Sequence, residues 1–249
     1  MAKPTFLNLP EEKRTQIEDV ATDEFARFSF GKASLSRIVS RLGIAKGSIY
    51  QYFDNKLDLY TWLLERAARK KIEYFGGVSK PEPGKFFEWY EHALFGGLKF
   101  GMANPRLVHL WLGWFHSDEP QLKPVVRRAR RERLDYAESI FKDAQVHSEV
   151  RADLDPKTLA ILLTATQNSM LEVLQVMAGV DSPEELFEHH TLEQFSDDQL
   201  KKVVHELVEI FKHGTANPDG PEVKEGAVPH GNIDETMSRI FDAEGDADE

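Results

Sequence analysis

Residues 34–60, SLSRIVSRLGIAKGSIYQYFDNKLDLY, contain the pattern that decides the fold. Ser34 stands just before an apolar helix face, where its hydroxyl can cap the first free amides. Gly43 follows that face, at the position where a left-handed residue commonly ends a helix. The stretch therefore predicts a short helix between these two residues. Its apolar residues recur at the i, i+3, i+4 and i+7 spacing of one helix face: Leu35, Ile38, Val39 and Leu42.

A second short helix is predicted directly after the glycine turn. Residues 47–52 are too few to form a stable helix alone, and Ile49 and Phe53 are the expected anchors into the core. Two short helices joined by a glycine-containing turn are typical of a helix-turn-helix, whose second helix enters the DNA major groove. The same arrangement recurs in many folds, so the longer string of residues decides the interpretation.

That longer string, IAKGSIYQYFDNKLDLY at residues 44–60, resembles the recognition helix and following helix of the TetR (tetracycline-repressor-like) family. The shared pattern is a small or hydroxyl residue, Lys-Gly-Ser/Thr, an aliphatic residue, Tyr, two polar or aromatic residues, Phe, and Lys two positions later. The resemblance extends from Phe25 to about Leu64. One position departs from it: Ala45 stands where the family often has Ser or Thr, so a side-chain cap and phosphate contact is absent there.

The resemblance implies a DNA-binding transcriptional regulator, most often a repressor. Such a protein binds a palindromic operator as a homodimer and is released by a small effector. It also implies that six residues contact DNA: Lys46, Gly47, Tyr50, Gln51, Tyr52 and Lys56. The other candidates for DNA contact are Ser48 on the same helix and, for added contacts with the DNA backbone, Ser34, Ser36 and Arg37 at the preceding helix.

The charge distribution agrees with a DNA-binding head, although the chain carries a net charge of −11. Residues 27–71 contain ten basic and three acidic side chains, a net +7. Residues 214–249 contain ten acidic and two basic side chains, a net −8. The acidity is therefore concentrated in the tail, while the candidate DNA-binding region is basic.

The remaining helical stripes predict an all-α fold of about nine helices. We expect a loose arm at residues 1–9, a first helix after Pro10, and three domains or segments. They are a helix-turn-helix head at 1–54 linked by a helix at 55–74, a ligand-binding and dimerisation domain at 55–213, and an acidic, mostly disordered tail at 214–249.

Two aromatic helical segments, at residues 86–102 and 107–115, have two interpretations. They form either an ordinary core, as such aromatic segments usually do, or an apolar ligand cavity, an interpretation to which the TetR resemblance adds support. Arg133, near the centre of the apolar stripe of a helix at 119–145, is explained by an ion pair with Glu172 or Glu91, by a tip that reaches solvent, or by an anionic effector group. A fatty acid, acyl thioester or aromatic acid would suit this lining. The candidate effector residues are Trp89, Phe95, Trp111, Trp114, Phe115 and Arg133.

Broad apolar stripes on the helices at 157–178 and 196–213 predict a subunit interface, which the TetR resemblance describes as a four-helix bundle. The candidate interface residues are Leu200, Val204, Leu207 and Phe211.

No enzymatic constellation is recognisable in the chain. It lacks a Gly-x-Ser-x-Gly turn, a His-Glu-x-x-His helix and a glycine-rich phosphate loop, so no enzyme, cofactor or metal is expected. The histidines at 116, 189 and 190 are the weak metal candidates. The absence of cysteine, of a signal peptide and of a membrane-length apolar run predicts a cytoplasmic protein without a membrane partner. The alternative is an α-helical small-molecule carrier or enzyme whose head only resembles a DNA reader.

Overall fold

A computed structural model of the chain describes residues 2–75, 80–115, 117–182, 185–186 and 191–219. Within these ranges the chain forms ten α-helices, one 3₁₀ turn at Thr191–Gln194 and no β-strand, which confirms the all-α fold. The helices are α1 (Pro4–Leu7), α2 (Glu11–Arg27), α3 (Leu35–Leu42), α4 (Lys46–Tyr52), α5 (Lys56–Tyr74), α6 (Phe86–Ala103), α7 (Pro105–Phe115), α8 (Lys123–Val146), α9 (Pro156–Ala178) and α10 (Asp197–Thr215).

The helix-turn-helix forms as its local signals predict. The Ser34 side chain accepts a hydrogen bond from the Arg37 amide at the start of α3. Gly43 ends α3 with a φ of 65°, in the left-handed region that a side chain rarely adopts. Ile49 and Phe53 are each 1% exposed, so the two expected anchors of α4 are confirmed.

The N-terminal residues are not the loose arm that the sequence predicted. They form α1, and the side chain of Phe6 is fully buried. Its ring lies 4.8 Å from that of Phe53 and 4.8 Å from that of Trp62. Burial of this aromatic ring helps to fix a segment that has too few residues to form a stable helix alone.

The described chain divides into two compact units. Unit 1 consists of residues up to 73 together with 104–128, so it holds α1–α5, α7 and the start of α8. Its core is aromatic: the Tyr60 ring lies 4.8 Å from Phe25 and 5.1 Å from Phe30. The Tyr60 hydroxyl donates to the Leu110 carbonyl, which joins α5 to α7. Burial of that hydroxyl strongly raises the pKa of Tyr60.

Unit 2 begins with residues 74–103 and continues from residue 129, so it holds α6, most of α8, α9 and α10. Its core includes Tyr90, whose ring lies 5.6 Å from that of Phe211, and Phe141, which lies 5.1 Å from Phe86. Both ends of α9 are capped by neighbouring residues. Asp155 accepts from two backbone amides at its start, and Gly179 with a φ of 68° follows its end.

The predicted tail boundary at residue 214 falls inside the fold. Helix α10 continues to Thr215, whose carbonyl accepts from the Arg151 amide, and the Asn217 amide donates to the Glu149 carbonyl. The rest of the predicted tail, residues 220–249, lies outside the described residues. Among the described helices, none is both long and apolar enough to cross a membrane.

Candidate nucleic-acid interface

Helix α4 exposes a polar surface and buries its apolar side. Lys46, Gly47, Tyr50 and Gln51 are exposed, and Ser48 is half-buried. Ile49 points into the core of unit 1. The exposed set offers an ammonium, a phenol and an amide, which are groups that bind phosphate oxygens or base edges.

Gly47 leaves open space beside the first turn of α4. A Cβ placed on Gly47 would meet no atom within 4 Å, and Ala45 provides no side-chain cap to the helix. The folded head therefore does not require glycine here. Glycine would be required only if another molecule approached the backbone at this point.

Lys56, a predicted phosphate contact, is bound within the head. Its ammonium donates to the carbonyl oxygens of Phe30 at 2.6 Å, Ala33 at 3.2 Å and Gly31 at 3.4 Å. It also lies 4.5 Å from the centroid of the Phe30 ring. Lys56 thus ties the start of α5 to the loop between α2 and α3. Its contact with DNA stays a prediction.

Arg37, on α3, is also bound by other residues of the head. Its guanidinium lies 2.6 Å from the Glu24 carboxylate, donates to the Lys32 carbonyl and stacks 4.3 Å from the centre of the Phe28 ring.

The other candidate DNA contacts differ in exposure. Ser36 is exposed, and Ser34 is half-buried because it caps α3. Tyr52 is 7% exposed, with its ring 5.9 Å from Phe6, so it packs in the core rather than projecting outward.

Buried acids on α2 were missed by the sequence analysis, which counted charge only from residue 27 onward. Glu24 accepts from the Ser34 amide at 2.8 Å as well as from Arg37. Asp23 lies 2.6 Å from Arg41 and 3.0 Å from Arg27. Burial raises the pKa of Asp23, but hydrogen bonds and charge from the two arginines outweigh it and leave the pKa lowered.

A third buried acid, Glu18, lies 2.9 Å from Lys70 and 3.4 Å from Arg66. Much of the basic charge of residues 27–71 is therefore neutralised within unit 1. The signal was available in the sequence as four acids within residues 18–24 of α2: Glu18, Asp19, Asp23 and Glu24. Lys32 and Lys46 remain among the exposed cations of the helix-turn-helix.

The candidate effector residues are divided between the two units. In unit 1, the rings of Trp111, Trp114 and Phe115 lie 4.7–5.7 Å apart. Within the described residues, neither indole N–H has a hydrogen-bond acceptor. Such buried unsatisfied donors are uncommon in proteins.

In unit 2, Trp89 and Phe95 are half-buried on α6, and the Lys201 ammonium lies 5.5 Å from the centre of the Phe95 ring. Part of Arg133 reaches solvent, yet burial of the rest lowers the pKa of its guanidinium, and Arg130 lowers it further. The Glu91 carboxylate lies 3.2 Å from His205 Nδ1.

The candidate interface residues on α10 mostly lie inside unit 2. Leu200, Val204 and Phe211 are buried within the single chain, and Leu207 is half-buried. Phe211 packs on Tyr90 of α6, so these side chains stabilise the unit itself. The exposed apolar side chains on α9 and α10 are instead Ile161, Leu162, Val173, Val176, Met177 and Ile210.

No cluster of three or more metal-ligating side chains occurs in the part of the chain that the structure describes. His189 and His190 and the side chain of His116 lie outside that part.

A cleft of about 440 Å³ in unit 1, between α1, α2 and α5, is lined by side chains of both charges, including Glu18 and Arg66. It contains none of the candidate effector residues.

Comparison with known proteins gives a consistent result. Residues 17–61 match the family model described as "Bacterial regulatory proteins, tetR family". The "Probable acrEF/envCD operon repressor" of Escherichia coli K12 is 24% identical over 221 residues, covering 84% of this chain and 99% of the relative.

Solved structures of TetR family regulators are among those that share the fold. A TetR family transcriptional regulator from Chloroflexus aurantiacus has a TM-score of 0.67 and 28% identity, covering 87% of this chain and 99% of that one. FadR from Bacillus subtilis, solved in complex with stearoyl-CoA, has a TM-score of 0.57 and 16% identity, covering 80% and 98%.

Proposed function

Because the chain is a DNA-binding transcriptional regulator of the TetR family, we propose that it represses transcription from a palindromic operator, as a homodimer that a small, largely apolar effector releases. One observation carries this proposal: α4 exposes Lys46, Gly47, Tyr50 and Gln51 together while the opposite side of the helix is anchored in the core. The relative from Escherichia coli is itself named a repressor, which supports repression over activation.

We assign different roles to the residues of the α3–α4 surface. Gln51 and Lys46 read base edges in the major groove, because a side-chain amide pairs with adenine and an ammonium with guanine. Tyr50, Ser36 and Ser48 bind phosphates, and Gly47 allows the backbone to approach the DNA strand. Arg37, Tyr52 and Lys56 contribute indirectly, because their contacts within unit 1 fix the surface that the others form.

The dimer interface is proposed on the outer faces of α9 and α10. Val176 is 83% exposed and Ile210 is 74% exposed. On α9, Leu162, Val173 and Val176 follow helical spacing, with small residues such as Ala165 and Ser169 between them, so they lie along one side of the helix. Exposed apolar side chains gathered on one face commonly mark a protein interface. Two heads are needed for selectivity, since one short helix contacts only a few base pairs.

The proposed effector is a fatty acid, an acyl thioester or an aromatic acid. In unit 2, the half-buried side chains of Trp89 and Phe95 suit an apolar ligand, and Arg133 of the same unit provides a positive charge for an anionic group. FadR from Bacillus subtilis, a protein of the same fold, was solved with stearoyl-CoA.

The test is selection of DNA by the purified protein from a pool of genomic fragments, followed by gel shift on the enriched sequence. Enrichment of a palindrome, bound as a dimer and released by a long-chain acyl thioester, is the expected result. Failure to enrich any sequence would favour the carrier alternative. Replacing Arg133 by Met should preserve DNA binding and abolish release by an anionic effector.

A further inference from the structure

The carbonyl end of α4 is satisfied mainly by residues from the N-terminus of the chain. The last four carbonyls of any α-helix lack partners within the helix, and in a seven-residue helix they are more than half of the total. In α4 the Ile49 carbonyl accepts from the Phe53 amide. The other three carbonyls, of residues 50–52, accept from Lys3 and Thr5.

Each of these three carbonyls accepts from a different donor group. The Lys3 ammonium donates to the Tyr50 carbonyl at 2.9 Å, and the Lys3 amide donates to the Tyr52 carbonyl at 2.9 Å. The Thr5 hydroxyl donates to the Gln51 carbonyl. The Lys3 ammonium also lies 2.5 Å from the Asp54 carboxylate, and this hydrogen bond lowers the pKa of Asp54. A cation at a helix C-terminus is also favoured by the helix dipole.

The arm, residues 2–9, is itself fixed to unit 1. Phe6 is fully buried between Phe53 and Trp62, and the Arg14 guanidinium donates to the Leu7 carbonyl at 2.8 Å. The arm therefore connects the backbone of α4 to two longer helices, α2 and α5. It can hold α4 in one position because its own position is set by the core.

We propose that the arm is a positioning element for DNA recognition, in which Lys3 and Thr5 fix the backbone that carries Tyr50 and Gln51. This inference rests on the proposed function, since it assumes that α4 reads DNA. Two of the three residues that the arm holds by their carbonyls, Tyr50 and Gln51, expose their side chains on α4. Lys3 acts within the protein rather than as a DNA contact, because its ammonium is already bound to a carbonyl and a carboxylate.

The decisive variant is Thr5→Val, which removes the hydroxyl without changing shape or charge. Full-length protein is compared on the DNA sequence that the wild type selects and on an unrelated duplex. The ratio of the two affinities should fall about three- to tenfold, which is the effect of one lost hydrogen bond. Thr5→Ser keeps the donor and should restore the ratio. Asn8→Ala, at the exposed end of the same arm, is the matched control and should leave it unchanged.

Hydrogen exchange of the free protein gives a readout that needs no DNA. The Phe53 amide, which closes the last turn of α4, should exchange faster in Thr5→Val and at the wild-type rate in Thr5→Ser and Asn8→Ala. If Thr5→Val fails to fold, Lys3→Met removes the donor to Tyr50 and should give the same pattern.

An unchanged affinity ratio or unchanged exchange in the valine variant would overturn the proposal. A wild-type protein that selects no DNA sequence would instead overturn the proposed function, and the exchange experiment would still decide whether the arm holds α4.

Discussion

Helices α4 and α9 each expose a face that we propose as an interface, but they are stabilised by different means. Helix α9 has 23 residues and its own caps, Asp155 at the start and Gly179 at the end. Helix α4 has seven residues, no side-chain cap at its start, and carbonyls bound by residues more than 40 positions earlier in the chain. The long helix is stabilised by residues next to its ends, whereas the short helix depends on residues that are distant in the sequence.

The exposed faces differ in chemistry as well. Helix α4 presents Lys46, Tyr50 and Gln51, which suit a polar and charged ligand. Helix α9 presents Leu162, Val173 and Val176, which water solvates poorly. The comparison predicts that substitutions on the two faces will have separable effects: dimerisation for α9 and α10, and DNA recognition for α4.

The largest effect is expected on the apolar face. Val176→Glu combined with Ile210→Glu places two charges where we propose that two subunits meet, and both side chains are exposed in the single chain, so folding should survive. Light scattering should report a monomer. Operator affinity should fall about 10²–10⁴-fold, because the second head no longer binds at high effective concentration.

The control for this experiment is Val146→Glu, since Val146 is 79% exposed at the end of α8. It should remain dimeric with wild-type affinity. A double variant that stayed dimeric would place the interface elsewhere on the protein.

The second prediction concerns Gln51. Gln51→Ala should cost about 1–3 kcal/mol of binding to the selected sequence, and the preference at one base position of each half-site should be lost. The free energy of unfolding should change by less than about 0.5 kcal/mol, because the side chain is exposed. Selection from a randomised operator pool measures the preference. A retained preference at every position would exclude base reading by Gln51.

The sequence predicted much of unit 1 because its signals are local. Ser34, Gly43, Ile49 and Phe53 act within a few residues of the helix ends they define, and the structure confirms each role. The arm was missed because its contacts join residues 46 and 47 positions apart. A stripe pattern also does not distinguish a core from an interface, which is why Leu200 and Phe211 were assigned to the interface although both are buried in unit 2.

The third prediction contrasts two lysines that the sequence treated alike. Lys56→Met removes donors to three carbonyls and should lower the free energy of unfolding by about 1–2 kcal/mol, a value reduced for partial exposure. Lys46→Met should leave stability unchanged, because Lys46 is exposed. Its effect should appear as a salt dependence of DNA binding that is weaker by about one ion.

Urea unfolding and gel shifts at several salt concentrations measure both quantities. If Lys56→Met reduced the salt dependence at unchanged stability, Lys56 would be a phosphate contact as the family resemblance implies.

The smallest expected effect is the change in stability caused by Gly47→Ala. This change is informative because we expect the variant to be more stable than the wild type. A Cβ at this position meets no atom within 4 Å, and alanine is favoured over glycine in a helix by about 0.5–1 kcal/mol. Gly47→Ala should therefore raise the urea midpoint slightly. If the backbone approaches a phosphate closely at this position, the added methyl group should also lower DNA affinity. Gly43→Ala is the contrasting variant: it also has open space, but its φ of 65° makes any side chain strained, so its stability should fall. A Gly47→Ala protein that gained stability and bound the operator normally would show that the backbone at Gly47 does not approach DNA closely. The DNA contacts of α4 would then lie nearer Tyr50 and Gln51.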